Sequence, residues 1–232
     1  MKITDLKCAV IGQNPVVRIV TDEGISGYGE AEASKPYLKP HVMFYRDLIL
    51  GKDPTDVERV MLGIRRMGGF KPWGSAVSAI EMALWDIAGK AAGIPVYKLL
   101  GGKIRDKVRV YNTAAPFPMK DSSPEAYADN VLQTKNMEEG FTIIKRGIGF
   151  HSQMPHDVPD FFYGDAATGG AHPNRGLMTE KGLKHIIACA EAMKEVLGDE
   201  VGLALDCGPG MMVPDALRLA KAVEPLNLMW LE

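Results

Sequence analysis

The chain has 232 residues, a net charge of −2 and 46% apolar residues, enough for one large domain or two modest ones. Its charges are interspersed, with no basic stripe and no acidic tail, which excludes a nucleic-acid partner recruited by charge. Three widely spaced cysteines, Cys8, Cys189 and Cys207, fit neither a disulfide framework nor a zinc site, and no signal-peptide pattern or run of about 20 apolar residues is present, so the expected setting is the cytoplasm, with no membrane partner and a small molecule as ligand.

Residues 2 to 34 alternate as strands do, in ITDLKCAVIG, PVVRIVTDEG and SGYGEAEAS, separated by GQNP and DEGIS turns; this pattern predicts an antiparallel meander. Helical periodicity follows at about 37 to 50, 54 to 66 and 75 to 92. From Val108 the signals alternate: strand VRVYNT, a helix from Pro124 to Glu139, strand FTIIKRG, a helix from Thr179 to Leu197, strand VGLALD, a helix from Pro214 and strand LMWLE. Alternation of this kind implies a parallel sheet. Pro124 and Pro214 stand where the first helical turn has no use for an N–H. The stretch from Ile148 to Met178 is too long for an ordinary strand-to-helix connection; leaving the end of FTIIKRG, it would be a lid over a site or an oligomer-contact insertion.

Two of the apolar runs, VGLALD and NLMWLE, end on acids, Asp206 and Glu232. In a parallel barrel all the C-terminal strand ends open on one face, where chemistry is done, so these carboxylates are expected side by side. Two hard oxygen donors suit a divalent cation such as Mg2+ that keeps water or substrate in its other positions. Such an ion needs further anchors, and the sequence stops where the next ligand-bearing strand is expected, so it reads as part of an enzyme. A strand-end acid also caps a following helix, which is the plainer reading of Asp206 taken alone. The segment GYGEAE, Gly27 to Glu32, lacks the third glycine, the buried parallel strand before it and the helix after it that a dinucleotide site requires.

Ala76 to Gly102 reads AVSAIEMALWDIAGKAAGIPVYKLLGG. This resembles the mandelate racemase and muconate lactonising branch of the enolase superfamily, in which a helix of the form AIxxALWDIxGKxxGxPVYxLLGG leads from a capping domain into a barrel. The resemblance spans the whole chain. It implies an α/β protein with an N-terminal α+β capping domain over residues 1–104, followed by the first half of a (β/α) TIM-type barrel over 105–232, incomplete in this chain. It also implies that Asp206 and Glu232 match the first two of three carboxylates that hold Mg2+, which binds a substrate carboxylate and stabilises its enediolate.

Lys145 in FTIIKRG matches the first lysine of the family's KxK pair, and the second position is Gly147. Strand side chains alternate, so Lys145 and Gly147 share a face and the usual lysine-base position has no side chain. Lys145 is then expected to supply positive charge, with the base and third metal ligand beyond Glu232. A single base favours a dehydratase of a sugar acid or related hydroxy acid, losing the α proton and the β hydroxyl. Racemisation or epimerisation of a carboxylate substrate is the alternative within enzymes. His151 and His156 on the long loop are candidate acids, while Asp206-Cys207-Gly208 departs from the family's Asp-x-Asn. Phe70, Lys71 and Trp73, in the loop MGGFKPWG, would either touch the distal part of a substrate or pack between domains. The resemblance further suggests a homo-oligomer. Outside catalysis stands a non-catalytic fragment: alone, the 232 residues are expected to be inactive and prone to associate through an unpaired apolar edge.

Overall fold

The computed structural model describes residues 1–67, 74–114, 117–148, 158–163, 177–208 and 211–232. The early alternation forms β1 (Ile3–Ile11), β2 (Asn14–Thr21) and β3 (Ser26–Glu30), an antiparallel sheet in that order. Its register pairs Cys8 with Val17 and Arg18 with Tyr28. One face carries Leu6, Cys8, Val17 and Ile19, all buried, as the period of two requires. The helices α1 (Lys39–Phe44), α2 (Arg46–Ile49), α3 (Val57–Arg66), α4 (Gly74–Ala92) and α5 (Val96–Leu99) follow. The single helix expected over 37 to 50 is instead a 3-10 turn at Pro36–Leu38 and two short helices. Tyr45 separates them at φ −85°, ψ −2°, and its N–H turns to the Val42 carbonyl, tighter than the α-helical spacing.

The glycines of GYGEAE have a packing role. A methyl group at Gly27 would overlap the Ala83 carbonyl and one at Gly29 the Ala79 carbonyl, so β3 lies directly against α4, whose facing positions Ala76, Ala79 and Ala83 are small and buried. The same helix satisfies the free edge of β3. Asp86 accepts the Tyr28 N–H at 2.9 Å, and Lys90 donates to the Ser26 carbonyl at 2.8 Å while pairing with Asp86 at 2.6 Å. An edge strand whose backbone groups are taken up by a helix offers no template to another chain.

The chain divides into two compact units, Met1–Asp106 and Lys107–Glu232. The second contains α6 (Pro124–Lys135), β4 (Ile143–Gly147), α7 (Glu180–Leu197), β5 (Gly202–Asp206) and α8 (Val213–Val223). β4 and β5 are parallel, with Lys145 opposite Ala204 and Gly147 opposite Asp206. Two expected strands are less regular than the sequence suggests. VRVYNT contributes only the bridge from Asn112 to Ile144, and LMWLE only that from Leu205 to Leu231, both parallel. Each flanks the ladder on one side and is held by backbone bonds such as Lys145 N–H to the Asn112 carbonyl and Glu232 N–H to the Leu205 carbonyl, both 2.8 Å. The spatial order is nonetheless the chain order: 112, β4, β5, 231.

Ile144, Leu203 and Leu205 pack with Val131, Ile186, Met193, Leu197 and Leu219 in one core. α6 ends at Lys135, four residues before the expected Glu139, and Gly140 turns the chain away at φ +64°. Thr179 caps α7 by accepting the Gly182 N–H at 3.0 Å. The start of that helix is tied to α8 by buried Asp215, which accepts from the Met178 N–H at 2.7 Å and from Arg218 at 3.0 Å. No helix among the described residues is long and apolar enough to cross a membrane.

Candidate functional site

The parallel register determines which side chains meet at the strand ends. Lys145 and Gly147 on β4 share a face with Ala204 and Asp206 on β5, and Asp206 lies one strand over and two residues further on than Lys145. The Lys145 Nζ is 2.9 Å from Asp206 Oδ2 and 3.0 Å from Glu232 Oε2. The two strand-end acids and the strand-borne lysine named from the sequence therefore converge on one point. Lys145 and Asp206 are deeply set, with side-chain exposures of 11% and 8%, whereas Glu232 is 52% exposed. Gly208 N–H holds the second oxygen of Asp206 at 2.9 Å, so its carboxylate is oriented from the backbone.

Burial alone opposes the charge on Lys145, but hydrogen bonds with Asp206, Glu232 and Tyr111 outweigh it and raise its pKa above the ordinary lysine range. It is a permanent cation at neutral pH. Burial likewise pushes the Cys207 thiol up to about 11, with the Asp206 charge adding to the effect, so Cys207 stays a neutral thiol.

Two aromatic residues that sequence reasoning did not single out complete the cluster. The Lys145 ammonium lies 5.2 Å from the centre of the Tyr111 ring, within cation–π range. Tyr111 meets Trp230 edge to face at 5.3 Å, and the Trp230 indole N–H reaches Glu232 Oε2 at 3.3 Å. The only sequence signal was their position, each one residue before a bridge residue, Asn112 or Leu231. Phe70, Lys71, Trp73, His151 and His156 lie outside the described residues.

Among the described residues no group of three or more His, Cys, Asp or Glu side chains could enclose a metal ion. Asp206 and Glu232 nevertheless supply hard oxygen donors that already share one cation, the Lys145 ammonium. This donor chemistry fits a divalent ion of the Mg2+ type.

Residues 9–101 match the model of the mandelate racemase / muconate lactonizing enzyme N-terminal domain, and residues 128–232 match the enolase C-terminal domain-like model. The chain belongs to the mandelate racemase and muconate lactonizing enzyme branch of the enolase superfamily. Within this branch it is 34% identical over 246 residues to a D-mannonate dehydratase from a Caulobacter species, covering 100% of this chain and 59% of that one. It is 32% identical over 250 residues to a D-xylonate dehydratase of Haloferax volcanii, covering 100% of this chain and 53% of that one. A solved enolase from Pantoea ananatis with bound D-gluconate and Mg superposes with a TM-score of 0.78 at 27% identity, over 99% of this chain and 59% of that one. The chain thus spans between 53% and 59% of the length of these family members. Its N-terminal unit is the capping domain of the family, and its C-terminal unit is enolase-like.

Proposed function

We propose that this chain carries the cation-binding part of a sugar-acid dehydratase site, in which Asp206 and Glu232 hold Mg2+ and Lys145 faces the substrate carboxylate. The observation that carries the reading is the convergence of both strand-end carboxylates on a single cationic point. The named relatives act on D-mannonate and D-xylonate, and the Pantoea enolase holds D-gluconate and Mg, which supports an aldonate as substrate and Mg2+ as the ion.

Loss of a proton α to a carboxylate leaves two negative charges on one carboxylate group, so fixed positive charge must face it. A bound divalent ion supplies most of that charge. Lys145 adds a second cation, and its ion pairs with Asp206 and Glu232 fit an electrostatic partner and not the base. Gly147, in the position where a second lysine would stand, leaves β4 without a proton acceptor on that face. The β hydroxyl then leaves as water and the enol becomes a 2-keto-3-deoxy acid.

Proton NMR in D2O with Mg2+ and D-mannonate, D-gluconate or D-xylonate tests the reading. Broadening of the aldonate signals that depends on Mg2+ and is lost in Asp206→Asn is expected, with the C2 proton signal retained. Binding that is indifferent to Asp206 contradicts the cation assignment. Loss of the C2 proton in the chain alone contradicts the role given to Lys145, and deuterium exchange at C2 with the β hydroxyl kept favours racemisation.

A further inference from the structure

Glu232 is the more exposed of the two carboxylates, and nothing comparable to the Gly208 N–H of Asp206 is seen holding it among the described residues. Besides the Lys145 ammonium, the contact that orients it is the Trp230 indole. The indole N–H donates to Oε2, the same oxygen that accepts the Lys145 ammonium. The indole in turn packs edge to face with the Tyr111 ring, over which the Lys145 ammonium lies. The two aromatic side chains thus link the lysine and the glutamate through a path separate from their ion pair.

We propose that Trp230 is a positioning residue for cation binding: its indole N–H, backed by Tyr111, holds Glu232 Oε2 beside the cationic point and so fixes the carboxylate for the ion. This inference rests on the reading of Asp206 and Glu232 as cation ligands. A half-exposed carboxylate rotates freely unless one oxygen is held, and a held carboxylate meets an ion without first losing that freedom. Partners behind a ligand contribute to affinity without touching the metal. Trp230→Phe keeps an aromatic ring against Tyr111 while removing the donor and part of the indole's bulk.

The test is titration of Mn2+ into the purified chain, followed by water-proton relaxation, for the wild type, Asp206→Asn and Trp230→Phe, with thermal melting without metal run alongside. Trp230→Phe is expected to weaken Mn2+ binding about tenfold, the lower end for such partners, at an unchanged melting temperature. Equal Mn2+ affinity in Trp230→Phe and wild type overturns the positioning role and leaves the cation reading intact. Equal affinity in Asp206→Asn and wild type overturns the cation reading and this inference with it. A second measurement needs no Trp230 variant: the Trp230 indole N–H resonance in the wild type should shift in Glu232→Gln and broaden on adding Mn2+, and an indole signal unmoved by both overturns the proposal.

Discussion

Lys145 and Asp206, on adjacent parallel strands and two residues apart in register, form an ion pair of 2.9 Å in which both side chains are almost fully buried. Removing one partner of such a pair takes away the opposite charge that faces the other. Lys145→Met leaves Asp206 and Glu232 facing each other, and its expected effect is a loss of about 3 kcal/mol in urea unfolding. A divalent cation should restore what the ammonium supplied. Added Mn2+ is expected to raise the melting temperature of Lys145→Met more than that of the wild type, by up to about 2.7 kcal/mol of stability at a hundredfold excess over Kd. No response to Mn2+ in either protein would mean that the two carboxylates do not share an ion.

The surroundings of two glycines predict opposite effects for their substitution. Gly27→Ala places a methyl against the Ala83 carbonyl and Ile87, and overpacking of this kind costs about 1–3 kcal/mol or more. Gly63, inside α3, meets only the flexible end of Lys52 at 3.2 Å. Gly63→Ala is expected to stabilise by about 0.5–1 kcal/mol through helix propensity. Chemical denaturation of both variants checks the pair.

The buried Asp215 carboxylate holds the Met178 N–H and Arg218, and Arg218 also bonds the Met178 carbonyl at 2.8 Å and pairs with Glu180. Asp215→Ala leaves the buried Met178 N–H unsatisfied and removes one of Arg218's partners, for a loss of about 1–3 kcal/mol. Amide exchange should accelerate first at Met178 and through the opening turn of α7. Uniform acceleration across the second unit would argue against a local clamp.

His185 gives a pH dependence. It is half-buried against Cys189, at 3.5 Å, and Phe161. Burial lowers its pKa from 6.5, with the Ser122 backbone acting in the opposite direction. Burial holds Cys189 up at about 12, so the thiol stays neutral beside it. Below the unfolded-state value near 6.5 the unfolded chain binds a proton that the folded one resists, so stability falls as pH drops through that value and levels off only below the lowered one. Melting temperatures between pH 7 and pH 5 should decline in the wild type and decline less in His185→Gln.

Much of this was legible in the sequence because it is periodic. Strict alternation located β1 to β3, and the apolar runs ending in acids located β5 and the Asp206–Glu232 pair. FTIIKRG gave both a strand and the face of Lys145. The edge segments VRVYNT and LMWLE read as strands from composition, yet each forms a single bridge. The GYGEAE glycines stood out as a motif, but their purpose depends on how closely α4 approaches, which no local pattern records. Tyr111 and Trp230 escaped notice for the same reason: they are 119 residues apart in sequence (230 − 111) and meet only because the strands come together.

The most direct measurement of the central claim is the Mn2+ affinity of the wild-type chain beside Asp206→Asn and Glu232→Gln. The shared-cation arrangement predicts one saturable site that each substitution weakens by about tenfold or more. Affinity unchanged in both variants would contradict it, and the Lys145 cluster would then be an ion pair that only stabilises the fold.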